Sequence, residues 1–217
     1  MKKQLFKKAS MKEIKNKSVL GSRFINAQSS YIYGYYEAAK SLVIVAIDGK
    51  YSNTKDTLVY PIYFNYRHYI ELHLKSLIED SEILYDKMDR LGYLKKSVQL
   101  PKVSDTLDRT HDLNKLLLLF KERLILISDE KFPKDIEKYI KQMHDSDKNG
   151  QKYRYHKNKN KNLYFIKEEQ IDINNTLKIM EEVSNMLWAI GSHIDEYDTL
   201  SNSLILEMTS IYQDLNF

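Results

Sequence analysis

Tyr66-Arg67-His68-Tyr69-Ile70-Glu71-Leu72-His73-Leu74-Lys75-Ser76-Leu77-Ile78 is the stretch on which the fold turns. Tyr63, Tyr66, Ile70, Leu74 and Leu77 recur at steps of three and four, the period of one helical face. Arg67, Glu71 and Lys75 stand at i, i+4 and i+8 along one border of that stripe, where Arg67–Glu71 and Glu71–Lys75 pairs form. His73 falls on the opposite border. His68 points away from the stripe, beside Leu72. A helix that buries the stripe therefore carries a row of alternating charge at its edge.

The same period recurs on both sides of this segment. Ile32, Tyr35, Tyr36, Ala39, Leu42, Val43 and Ala46 mark a helix from about Phe24 to Ile47, ended by Asp48-Gly49. Lys50 to Val59 reads as a polar loop, and Pro61 as the first position of the next helix, which runs to about Asp80. A short helix over Asp80 to Leu94 ends near Gly92, and Ser97 to Asp108 reads as a loop around Pro101. Asp112 to Ser128 follows, capped by Thr110 or Asp112, and its nearly all-round apolar character predicts central burial. Further helices are expected over Pro133–Met143, Ile173–His193 and Leu200–Leu215, with a strand or extended piece at Leu163–Ile166. The expectation is an all-α protein, an antiparallel bundle of about six helices with short connections. It comprises a basic segment 1–17 and one helical domain over 18–217.

Composition agrees. Among 217 residues there are six glycines and three prolines, too few breakers for many short strands. Hydrophobic residues make up 42% and charged residues 29%, the balance of a globular chain that buries its own core. No cysteine is present, which removes disulfides, cysteine–zinc sites and thiol chemistry, and fits a reducing cytoplasm. No apolar run is long enough for a secretory leader or a membrane span, so no membrane partner is expected.

The net charge of +4 is mild but unevenly spread. Residues 1–17 hold seven lysines against Glu13 alone, and Lys148–Lys167 holds six lysines and Arg154 with no acid. Such segments meet phosphates or stand as solvated lysine. Lys152, Arg154, Tyr155, Lys157, Lys159 and Lys161 form the candidate nucleic-acid surface, cations for the backbone and tyrosine for base stacking. His111 and Asp112, with Lys75, are candidates for a polar network at the opening of the third helix. Asp145-Ser146-Asp147-Lys148-Asn149-Gly150 mimics the start of a calcium loop. His156 stands where such a loop needs its bidentate glutamate, so the segment reads as a polar turn, and no metal or cofactor is expected. Phosphate-loop, dinucleotide, nucleophile-elbow and zinc-protease signatures are absent.

The order "YRHYIELHLKSLI", "HDLNKL", "GQKYRYH" ahead of a long helix resembles HEPN-like helical proteins, over roughly Tyr31 to Ile190. The resemblance implies a bundle, commonly a homodimer, in toxin–antitoxin or phage-defence settings, with RNA and a cognate antitoxin or defence-system protein as partners. Many such proteins are metal-independent ribonucleases that use an arginine and a histidine four to six residues apart. Arg67 and His73 have five intervening residues, although on a regular helix the two lie about 120° apart. In that reading Arg67 stabilises phosphoryl charge, His73 or His68 moves the proton, and Glu71 supports the set. Two alternatives remain open: a non-catalytic interaction or dimerisation module (antitoxin or adaptor) whose polar residues form a structural network, and a nucleotide-binding sensor.

Overall fold

The computed structural model describes residues 27–49, 53–94 and 107–215, together with Lys15, Ser18 and Val103, the side chains of 212, 214 and 215 excepted. The basic segment 1–17 (Lys15 apart), the first residues expected of helix one, and most of the loop expected over 97–108 lie outside the described residues. Five helices are described: α1 (Ala27–Asp48), α2 (Asn53–Arg90), α3 (Leu113–Ile127), α4 (Lys134–Ser146) and α5 (Ile173–Leu215). The only described bridge outside them pairs Lys157 with Leu163 in antiparallel fashion, so the expected extended piece near 163–166 is a single pairing and not a strand.

Three boundaries differ from the sequence expectation. Residues 53–59, read as loop, are the opening turns of α2, and Pro61 lies inside the helix. As the ninth residue of the helix, Pro61 forfeits the bond to the Thr57 carbonyl, a loss set against the full burial of its neighbours Ile62 and Tyr66. The two helices expected over 61–94 are one, ended by Gly92 at φ +71. Tyr93 N–H donates to the Met88 carbonyl and Gly92 N–H to that of Asp89, both 3.0 Å, the paired bonds of a glycine C-terminal cap. The last two expected helices also merge, because Asp195–Thr199 contains no breaker.

α2 is the central element. Its buried residues face several directions, including Tyr66, Tyr69, Ile70, Leu74, Leu77, Ile78 and Leu84. α1 lies antiparallel to it: Gln28 donates to Glu79 and Tyr35 meets His68. Ile32, Tyr36, Ala39, Val43 and Ala46 bury one narrow face at alternating steps of four and three. α3 was expected to be central, yet Leu118 and Ile125 are exposed. It buries only the face of Leu113, Leu116, Leu117, Phe120, Leu124 and Ile127. α4 returns antiparallel to α3, with Lys121 on Glu137 and His144 beside Asp112.

The bundle is not wholly antiparallel, and its connections are not all short. His111 meets Glu71 and Arg123 meets Glu82, so α3 runs parallel to α2. Tyr63 meets Thr176 and Lys87 meets Asp198, so α5 does too. Each of α3 and α5 thus starts at the same end as α2, and Asp108, His111 and Asp147 meet the Arg67 row there.

Candidate functional site

Arg67 is 2% exposed, and each nitrogen of its guanidinium has a partner. Nε donates to the Asp147 carbonyl (2.9 Å), Nη1 to Glu71 Oε2 (3.0 Å), and Nη2 to the His111 carbonyl (2.5 Å). The Asp147 carboxylate lies 3.8 Å from Nε. On the next turn Lys75 donates to Glu71 Oε1 (3.0 Å) and reaches the Asp108 carbonyl at 3.4 Å. The i, i+4, i+8 row read from the sequence is therefore real, but it is buried. Two cations and two carboxylates balance, as an ion cluster in a low-dielectric site requires.

His111 joins from outside. Its Nδ1 shares a hydrogen bond with Glu71 Oε1 at 2.8 Å, while its side chain is 59% exposed. Burial pushes the Glu71 carboxyl up, but the hydrogen bonds and charges of His111 and Lys75 outweigh it, and it titrates below the ordinary glutamate range. The neighbouring Asp112 serves α3: its Oδ1 accepts from Lys115 N–H at 3.0 Å, the cap expected from sequence. His144 Nδ1 lies 3.4 Å from that carboxylate.

Above the Arg67–Glu71 floor is a cleft of about 230 Å³. Tyr35, Phe64 and His68 form one wall, and His111 and Arg154 stand at the rim. The His68 ring stacks on Phe64 (5.8 Å, 10°) and meets the Tyr35 ring edge-on (4.4 Å). Its burial there lowers its pKa, against the pull of Glu71. Arg154 lies over the Phe64 ring (5.4 Å) and the Tyr155 ring (5.3 Å). Since the buried cluster is neutral, the charge of this cleft comes from Arg154 and, when protonated, from the two histidines.

The fourth side is the turn that mimicked a calcium loop. Asp147 caps α4 and accepts Gln151 N–H at 3.0 Å, and Gly150 takes φ +72. A Cβ at Gly150 would stand 2.8 Å from Arg67 Nη1, so glycine is needed for both its backbone and its lack of side chain. Among the described residues no group of three or more acidic, histidine or cysteine side chains is arranged to hold a metal.

After this turn the chain alternates. Tyr153 points inward: its hydroxyl bonds the Ser146 hydroxyl, and its ring stacks on Tyr63 (5.1 Å). Arg154 and Tyr155 point out. A tight loop follows, with Asn158 N–H bonded to the Asn162 carbonyl and Lys161 at φ 64. Lys157, Lys159 and Lys161 are exposed on it.

The sequence-derived sites are thus sorted in space. Arg67, His68, Glu71, His111 and Arg154 share the cleft, and the "YRHYIEL", "HDL" and "YRYH" fragments do converge. His73 is elsewhere: it is 3% exposed, bonded to the Tyr69 hydroxyl (3.0 Å) and packed on Trp188 of α5 (4.6 Å). Burial takes its pKa down to about 4. The expected Arg67–His73 pair therefore faces two different parts of the molecule, as the angle between the two positions on a regular helix requires. Lys152 also departs from the candidate surface. It lies over the Phe165 ring (4.3 Å) and 3.7 Å from Glu169. Asp147, Gly150, Tyr35 and Phe64 were not singled out as site residues, and only the "DSDKNG" turn left a trace of them.

A second, wider groove of about 820 Å³ runs between the first turns of α2 and residues 165–173. Lys55 and Lys167 there face Asp56, Glu168 and Glu169, so it has no cationic excess. No helix among the described residues is long and apolar enough to cross a membrane. Comparison with protein-family models, with curated proteins and with solved structures finds no match.

Proposed function

We propose that this protein binds single-stranded RNA across the Arg154 rim of the cleft, in the manner of a non-catalytic HEPN-like module. The observation that carries the reading is the outward pair Arg154–Tyr155 beside Phe64 and His68, continued by the exposed Lys157, Lys159 and Lys161. Flat aromatic and guanidinium faces stack unpaired bases, and the lysines that follow meet the backbone. Arg67 supports the site as its floor: it is almost fully buried, and three of its five N–H groups already donate to Glu71 and two carbonyls. This favours the binding module over the ribonuclease built on Arg67 and His73. A homodimer, and an antitoxin or defence-system partner, belong to the same reading as what the HEPN resemblance implies.

The test is fluorescence anisotropy with a labelled single-stranded RNA in EDTA, with the RNA recovered and sized afterwards. Binding that weakens by about tenfold or more on Arg154→Ala with Tyr155→Ala, with intact RNA, is the expected result. Cleavage lost on His111→Ala or His68→Ala would replace the module with a nuclease centred on those rings. RNA that does not bind, or binds equally to the double variant, refutes the reading.

A further inference from the structure

The packing seam of α5 continues past the end of the bundle. Met180, Val183, Leu187, Ile190 and Ile194 recur at alternating steps of three and four, and all are buried. The same steps run on through Tyr197 and Ser201 to Leu204, Met208 and Ile211. Ser201 is still buried, whereas Leu204, Met208 and Ile211 are exposed. The change follows from the length of the neighbouring helix. α2 ends at Arg90, a level that the Lys87–Asp198 pair (2.6 Å) aligns with about residue 201 of α5. α5 continues to Leu215, about 20 Å further. Beyond Ser201 only Ile205 is even half-buried among the described residues. The side-chain hydrogen bonds of Asn202, Ser203 and Thr209 go only four residues back along α5 itself. A seam in register, with nothing of its own chain against it, is a docking face.

Register, charge and area point to one occupant. Two such helices laid antiparallel about a two-fold axis between Leu204 and Met208 are their own complement. Leu204 of each copy then stands opposite Met208 of the other, and Ile211 opposite Ser201 beside the exposed Leu200. Leu206 is exposed too, but lies on the opposite side of the helix from this seam. Between Thr199 and Gln213 the sequence has a single charged residue, Glu207, so like charges offer little resistance to a second copy. About three turns from each helix bury on the order of 1,000 Å² in total, the least that a specific pair requires. The pair is therefore a weak one that follows protein concentration.

We infer that a second copy of this chain docks antiparallel along the overhang of α5, through Leu204, Met208 and Ile211 of both copies. The inference stands on α5 and is independent of RNA binding. The overhang lies at the end of α2 opposite to Arg67, so the two-fold places the two clefts at opposite ends of the pair, on the order of 80 Å apart along the helix axes. Neither cleft supplies a residue to the other.

Sedimentation equilibrium of the full chain, over about 1–200 μM, tests it. The expected result is a monomer–dimer equilibrium in that range. Leu204→Ser with Met208→Ser weakens it at least about tenfold, while Leu206→Ser, equally exposed but off the seam, leaves it unchanged. All three positions are exposed, so the variants keep the helix content and unfolding midpoint of the parent. The chain has no cysteine, which allows the register to be read as well. A mixture of Leu204→Cys and Met208→Cys chains joins by disulfide on mild oxidation more readily than either chain alone, and Leu206→Cys does not join. A monomer at every concentration overturns the inference and leaves the face to a different protein. A dimer that survives the double change, or that Leu206→Ser weakens as much, overturns it as well.

Discussion

Gly150 lies against the guanidinium of Arg67 so closely that a Cβ on it would stand 2.8 Å from Nη1. The turn that bounds the cleft and the charge that floors it therefore hold each other in place. Gly150→Ala has to tolerate a left-handed backbone at φ +72 and also push Arg67 off Glu71. The expected loss is about 2–4 kcal/mol. Gly34→Ala is the control. Gly34 is exposed within α1 with nothing near a built Cβ, so there alanine adds about 0.5–1 kcal/mol of stability. Urea unfolding of both variants should show opposite signs.

Glu71 accepts from Arg67, Lys75 and His111. Glu71→Gln leaves two buried cations short of a counter-charge and should cost about 3–5 kcal/mol. Arg67→Met with Glu71→Met should cost less than the sum of the two single changes, because each alone strands a buried charge. Arg67→Lys should not rescue, since an ammonium cannot reach Glu71 and two carbonyls at once. Additive losses in a double-mutant cycle would contradict the cluster.

His73 is kept neutral by burial, with its folded pKa near 4 and an unfolded value of about 6.5. Between these values the unfolded chain binds more protons than the folded one. Stability is therefore full above about pH 6.5 and falls as pH drops toward 4, by at most about 3 kcal/mol from this group. His73→Phe keeps a ring against Trp188 but cannot titrate. On acidification the denaturation midpoint of the parent should fall relative to that of the variant. Parallel pH profiles would show that His73 is not held neutral.

Arg154 is exposed and takes no part in the buried cluster. Arg154→Ala should leave unfolding free energy within about 0.5 kcal/mol of the parent, while RNA affinity falls and the slope of log affinity against log salt shrinks by about one. Lys152→Ala should leave both nearly unchanged, because Lys152 is turned to Phe165 and Glu169. If Lys152 proves the stronger determinant of RNA affinity, the binding surface lies over the wider groove.

Much of the scaffold was readable from spacing. The stripe of α2, the Arg67–Glu71–Lys75 row and the Asp112 cap follow from the helical period and from capping chemistry, which are local. The direction of the row was not readable, because burial depends on what arrives from elsewhere. The carbonyls of His111 and Asp147 lie 44 and 80 residues from Arg67. For the same reason α3 reads as central from its leucines alone, although one face meets solvent. Merged helices were missed where no breaker marks an end and polar residues look like a loop. The distance between Arg67 and His73 around the helix was legible; that His73 packs on Trp188 required the path of α5.

Arg67 works as a rivet through two loops, one before α3 and one after α4, and this bears on the order of assembly. The loop before α3 closes over the guanidinium only after the first long return, and the turn after α4 only once α3 and α4 have packed. Contacts so far apart in sequence are costly to form early. The cleft is thus expected to form late in folding, and a chain in which only α1 and α2 have paired has none of its loop-built sides.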